Sequence, residues 1–213
     1  SAGSKRWHRS KKAGSFGSAG VFAFYPNKQI TTGEGGLIVT NDRKIARLCR
    51  SMRNQGRAED QAWLNHVRLG FNYRISDINC ALGIAQINRL GGILQKRQRV
   101  AHRYARELGS LSGIMLPWCA PHVTMSWFVY VIRLNGSYAR KDRDAVIEGL
   151  RSCGIASSNY FAPIHLQPFY RKQFGYRRGD FAVTEFVADR TIALLFFNTL
   201  KKAEISYIAE KLK

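Results

Sequence analysis

The stretch Phe22-Ala23-Phe24-Tyr25-Pro26-Asn27-Lys28-Gln29-Ile30-Thr31-Thr32-Gly33-Glu34-Gly35-Gly36 decides how the rest of the chain is read. It opens inside the apolar run 19–25 (AGVFAFY), which reads as a buried strand. Pro26-Asn27 ends that strand, because proline cannot donate to a ladder and asparagine favours turns. A turn-rich segment, 31–36, then leads to a second strand at 37–40. Lys28 therefore stands just past a strand end and opposite a glycine-rich turn. Partial desolvation there would favour the neutral amine, which can form a Schiff base with a carbonyl. Most lysines are simply solvated, so the neighbouring segments must decide.

Outward from this stretch, strands and helices alternate. Asn41-Asp42 is a helix cap, followed by Ile45, Leu48, Cys49 and Met52 at helical spacing. Residues 54–73 read as a long ordered loop. Ser76 caps a helix with a mixed face of Ile78, Leu82, Ala85, Gln86 and Arg89, and 93–108 form a basic connecting helix. Gly, Ser and Pro between 109 and 121 break the pattern and mark a domain boundary. The clearest strand is 127–134 (WFVYVIRL), rich in β-branched and aromatic residues. A helix over 141–151, a strand near 155–161, a loop with Pro163 and Pro168, and helices near 184–194 and 202–212 complete the chain. The alternation predicts an α/β fold.

Composition bounds the function. The 213 residues are 45% hydrophobic and 12% aromatic, enough for a buried core and too much for a disordered chain. No run of about 18 apolar residues exists to span a membrane, and the basic first residues lead into glycine and serine, not an apolar signal segment. Cys49, Cys80, Cys119 and Cys153 lie more than thirty residues apart, and the five histidines form no HxxxH pair. Those spacings argue against a zinc site or a disulfide framework and fit free thiols in a reducing cytoplasm. The charge is unusual: 34 Lys and Arg against 14 acids, a net +20. Five basic residues and no acid occupy positions 1–12, six more and no acid run from 89 to 106, and four fall in 171–178. A chain this basic attracts phosphorylated ligands, nucleic acid or anionic surfaces.

Three blocks together resemble the DegT/DnrJ/StrS family of pyridoxal-phosphate (PLP) aminotransferases, which act on nucleotide-linked keto sugars. The first is the string Phe24 to Gly36 (FYPNKQITTGEGG). The second is Arg53-Asn54-Gln55-Gly56-Arg57 with Leu69-Gly70-Phe71-Asn72-Tyr73-Arg74-Ile75-Ser76-Asp77-Ile78-Asn79. The third runs from Ser157 to Tyr170 (SSNYFAPIHLQPFY). The resemblance covers the chain from about residue 13 to its end. It implies a partial PLP-dependent transferase type I (aspartate aminotransferase-like) fold. Residues 1–108 would be the remainder of the PLP-binding large domain with its connecting helix, and 109–213 a small C-terminal α/β domain.

The same resemblance implies the site. Lys28 would carry PLP and, once freed by the amino donor, would move the proton between substrate and cofactor carbons. The cofactor is the electron sink and the protein supplies position and electrostatics. Asn72 matches the family asparagine that reaches the cofactor phosphate of a neighbouring subunit, which implies a homodimer. Tyr73, Arg74 and His165 are candidates for contacting cofactor or sugar nucleotide; a buried structural imidazole is an equal reading of His165. Glutamate is the implied amino donor, and amino-sugar or polysaccharide biosynthesis the implied setting. Related dehydratases replace the lysine by histidine, so Lys28 favours amino transfer.

Departures accompany these matches. Ala23 takes the place of a cofactor-binding serine, Ser18 that of a common acid, and Ala193-Leu194-Leu195-Phe196-Phe197 lacks the usual proline. The family aspartate that keeps the pyridine nitrogen protonated lies upstream of the lysine block, and residues 1–12 supply no carboxylate. The expectation is a truncated aminotransferase, weakly active or inactive unless a complementing N-terminal fragment is supplied. The alternative is a non-catalytic basic binding protein for nucleic acid or an anionic polymer on the same scaffold.

Overall fold

The computed structural model describes residues 12–58 and 65–213. The chain divides into two compact units, Ser1–Gly91 and Gly92–Lys213.

In the first unit, β1 (Gly20–Ala23) and β2 (Gly36–Val39) form a two-stranded antiparallel sheet, with Gly20 opposite Val39 and Ala23 opposite Gly36. Two helices follow, α1 (Arg43–Arg53) and α2 (Asp77–Asn88). Both expected caps form: the Asp42 carboxylate accepts from the Lys44 and Ile45 N–H groups, and the Ser76 hydroxyl accepts from Asn79 N–H. Of the loop expected over 54–73, residues 59–64 lie outside the described residues; among the others, isolated bridges join Asn54 to Asn72 and Arg57 to His66. The expectation that 19–25 is a buried strand is corrected. Only Gly20 of β1 is buried, and Val21 is 76% exposed. A two-stranded ribbon offers two faces and two edges, and burying either needs a further layer.

The second unit holds the core. Helix α3 (Leu90–Leu108) leads into β3 (Ile114–Met115), β4 (Tyr130–Leu134), α4 (Arg140–Ser152) and β5 (Ser157–Asn159). A 3-10 turn at Ile164–Leu166 then precedes α5 (Pro168–Phe174), α6 (Ala182–Ala188), β6 (Thr191–Leu194) and α7 (Lys202–Lys211). The sheet order is β3-β4-β6-β5, antiparallel throughout. Along β4, Tyr130, Ile132 and Leu134 are buried and the residues between them half-buried, the period-2 signature of a strand with one face on a core. Those side chains meet Val100, Ala101, Tyr104 and Leu108 of α3, Ile147 and Leu150 of α4, and Ile205 and Ile208 of α7 in one cluster. The connecting helix thus supplies buried residues to the second unit, and the division at Gly91/Gly92 precedes the expected boundary after residue 108.

Two elements differ from their sequence reading. Residues 184–194 were expected to be one helix, but α6 ends at Ala188 and Thr191–Leu194 becomes the central strand β6, paired with both β4 and β5. A four-residue apolar run fits a strand or a helix turn equally, and strand partners far away in sequence decide it. Pro168, expected in a loop, is the first residue of α5, where its missing N–H costs nothing. Gly175, at φ 73°, closes that helix in the left-handed conformation. Among the described residues, no helix is long and apolar enough to cross a membrane.

Candidate functional site

Lys28 sits at the end of a tight turn, its N–H donating to the Tyr25 carbonyl at 3.0 Å, with Pro26 and Asn27 at the two central positions. Proline presets φ for the first of these, so the turn follows from the sequence YPNK. The lysine is half-buried. The loop that carries it is braced on both sides. Phe24 N–H donates to the Gly35 carbonyl at 2.9 Å, and the Phe24 carbonyl accepts from Thr32 N–H at 3.0 Å and Thr31 Oγ1 at 2.9 Å. Thr32 is the anchor, buried at 3% exposure, with its hydroxyl donating to the Glu34 carbonyl.

Two glycines permit this arrangement. A Cβ on Gly35 would lie 2.5 Å from Thr32 Oγ1 and 3.0 Å from Ile75 Cδ1, and one on Gly83 of α2 would lie 3.0 Å from Thr32 Cγ2. The lysine loop therefore packs against Ile75 and α2, which brings the first and second sequence blocks into contact.

In the second block, the chain after α1 runs against residues 71–73. Gln55 N–H donates to the Phe71 carbonyl, Phe71 N–H to Met52, and Tyr73 N–H to Arg53. Here Arg74 and Asn72 meet: Arg74 Nε donates to Asn72 Oδ1 at 2.9 Å and its NH1 to Asn54 Oδ1 at 3.1 Å. With Oδ1 engaged, the Asn72 amide keeps its NH2 group as a donor, the polarity a phosphate oxygen requires. Tyr73 is 72% exposed and stacks on Phe71 with ring centroids 4.8 Å apart. Ala23 ends β1, exposed and paired in register with Gly36. A cleft of about 700 Å³ opens beside Arg74, lined also by Arg50, Arg53, Asn54 and Asp77. Sequence reading missed Asn54 as the second brace of Arg74; its place in RNQG was visible, its partner was not.

His165 lies in the second unit, with 8% of its side chain exposed. Its Nε2 pairs with Glu185 Oε1 at 2.9 Å. Glu185 also accepts from Gly179 N–H through both oxygens, at 2.9 and 3.0 Å, and from Phe181 N–H at 3.4 Å. Burial by itself would raise the Glu185 carboxyl. The His165 hydrogen bond and the two backbone donors outweigh it and hold the group below its ordinary value. Phe181 and Tyr176 close around the imidazole, with ring centroids 4.7 and 6.4 Å away. The pair ties the turn at Ile164–Leu166 to α6.

The braced lysine loop and the Asn72–Arg74 pair both belong to the first unit. The chain matches the DegT/DnrJ/EryC1/StrS aminotransferase family over residues 2–213. A protein of uncharacterised function from Methanocaldococcus jannaschii is 32% identical over 216 residues, covering 97% of this chain and 56% of that protein. The GDP-perosamine synthase of Caulobacter vibrioides is 38% identical over 167 residues, 76% of this chain and 44% of that enzyme. Among solved structures, the Helicobacter pylori aminotransferase PseC, involved in pseudoaminic acid biosynthesis, superimposes with a TM-score of 0.84 at 26% identity. The match covers 95% of this chain and 54% of that one. The chain spans about half the length of the curated relatives it matches. It belongs to the DegT/DnrJ/EryC1/StrS aminotransferase family, whose enzymes use pyridoxal phosphate.

Proposed function

We propose that this chain is the lysine-bearing part of a PLP-dependent aminotransferase that acts on a nucleotide-linked keto sugar. The observation that carries the reading is the braced position of Lys28: a half-buried lysine in a loop locked by Thr32 against Gly83 and by Gly35 against Ile75. Bound PLP supplies the electron sink for amino transfer. Lys28 holds the cofactor through its amine and, when displaced, shuttles a proton at Nζ. Asn72 donates its amide NH2 to a phosphate oxygen, with Arg74 adding a positive charge beside it. Asn72 serves the cofactor of a neighbouring subunit, so the working form is a homodimer or an assembly with a complementing N-terminal piece. Ala23 contributes only backbone to the phosphate end, and Tyr73 presents an exposed ring to the sugar nucleotide. His165 acts indirectly by positioning its loop. Glutamate is the amino donor, and the cytoplasm the compartment that suits the four free thiols.

The test is PLP titration of the purified chain, then borohydride reduction and peptide mapping, with Lys28→Ala as control. A reduced adduct on Lys28 that the variant lacks supports the reading, and amino transfer on adding an N-terminal piece would extend it. An adduct spread over many lysines, unchanged in the variant, overturns it.

A further inference from the structure

A second basic feature lies in the Gly92–Lys213 unit, built from none of the residues assigned above. Lys96, Arg99 and Arg103 of α3 and Lys201 and Lys202 at the start of α7 converge on a cleft of about 360 Å³ that no carboxylate lines. Among the described residues, none of these five side chains makes a hydrogen bond or an ion pair. Several other cations of the same unit are matched: Arg140 and Arg143 with Asp144, Arg151 with Glu148, Arg178 with Asp189. Five unmatched cations around one cleft repel one another, and nothing else lining the cleft offsets that.

Helix α7 adds to the imbalance. Its N-cap is Lys201, which makes no side-chain cap. An ammonium has only donors, so it cannot serve the free N–H groups of the first turn. Lys201 and Lys202 also place positive charge at the positive end of the helix dipole, the less favourable end. The nearest relief is Glu204, whose carboxylate accepts from the Lys201 N–H at 2.6 Å, and it is not among the lining residues. An anion in the cleft would meet the cations and the free N–H groups together. Along α3, the spacing of Lys96 to Arg103 spans about 10.5 Å of helix axis, longer than one phosphate and suited to two or three in a row.

We propose that this cleft binds a compact polyphosphate group, either inorganic pyrophosphate or the phosphate tail of a nucleotide. Arg99 and Arg103 grip it with planar guanidinium forks, which match phosphate oxygens in pairs. Lys96, Lys201 and Lys202 supply point charges, and the first turn of α7 supplies backbone donors. The proposal does not depend on the reading of Lys28, and the Lys28 adduct serves as an independent readout.

The experiment is isothermal titration calorimetry on the full chain at about 150 mM chloride, a physiological ionic strength. Separate arms use pyrophosphate, ADP and a short DNA duplex. Saturable one-site binding of pyrophosphate or ADP is expected; tighter ADP binding assigns the nucleotide, equal binding the bare polyphosphate. Arg99→Gln with Arg103→Gln, and Lys201→Ser with Lys202→Gln, should each weaken it about tenfold or more, as loss of charge-assisted hydrogen bonds implies. Arg140→Gln with Lys141→Gln, on α4, should leave it unchanged. Near-ultraviolet circular dichroism checks folding of each variant. A second signature separates binding from structure: Lys201→Ser should raise the thermal midpoint without ligand, because serine caps the helix, and should shrink the rise that pyrophosphate gives the unsubstituted chain. No saturable heat, equal loss in the α4 control, or binding of the duplex alone would overturn the proposal.

Discussion

The two units of this chain are held together by different physics. Every buried hydrophobic residue among the described ones lies at Ile93 or beyond, whereas the buried non-glycine residues before it are polar, Thr32 and Ser51. The second unit is an ordinary apolar core. The first, which carries Lys28, relies on close backbone approaches at glycines, helix caps and hydrogen bonds such as Thr32 to Glu34 and Arg74 to Asn54. That contrast means the candidate cofactor site has precise local geometry but little burial to stabilise it, and its apolar surface stays outward: Ile78 is 82% exposed and Leu69 87%. Such a surface favours association with another layer of protein.

Substitutions can break or sharpen this contrast. The largest effect is expected from Ile132→Ala, at the centre of the second unit with no exposed surface. Removing its buried methyl groups should cost about 2–5 kcal/mol in chemical denaturation. Equal stability would mean that the core cluster does not govern unfolding. Gly56→Ala should come next. Gly56 has φ 74°, and a Cβ there would lie 1.8 Å from the Arg68 carbonyl, so strain of about 1–3 kcal/mol is expected. Hydrogen exchange should show loosening confined to residues 51–73, with β4 and β6 still protected. Loss of protection in both units together would erase the distinction drawn here.

A third, smaller effect depends on pH. Glu185 has its folded value below its ordinary value of 4.5. Its contribution is therefore complete above the unfolded value and is lost as pH falls through the folded one. The thermal midpoint should drop with acid below about pH 4.5, and Glu185→Gln should flatten that slope while lowering the midpoint at neutral pH. An unchanged slope would remove Glu185 as its source. The smallest effect is expected at Val21→Thr, on the exposed ribbon, with a change within about 0.5 kcal/mol. A clear loss would show that another layer covers β1 in solution.

The parts legible in the sequence were those set by local chemistry. Asp42 and Ser76 announced α1 and α2 because a short polar side chain before a periodic run has one good use there. The turn at Pro26-Asn27 was legible because proline presets φ at its first central position. Strand β6 was not legible, since Thr191–Leu194 becomes a strand only by lying between β4 and β5. His165 could be flagged by residue type, but its partner Glu185 is twenty residues away and nothing local links them. The basic cleft shows the same limit more sharply. The excess of lysine and arginine was plain from composition, yet Arg99 and Lys201 meet only because α3 and α7 share one core.

The hydrogen bond from Tyr104 Oη to the Leu195 carbonyl, 2.7 Å long, joins residues 91 positions apart. In a growing chain, α3 emerges long before its partner exists. At about 5–20 residues per second, the interval between Tyr104 and Leu195 lasts roughly 5–18 seconds. For that time the apolar side of α3, with Val100, Tyr104 and Leu108, has no β6 to receive it. Synthesis itself therefore imposes a waiting period on this helix, and the final segment of the chain, not the first, sets the moment at which the core can close.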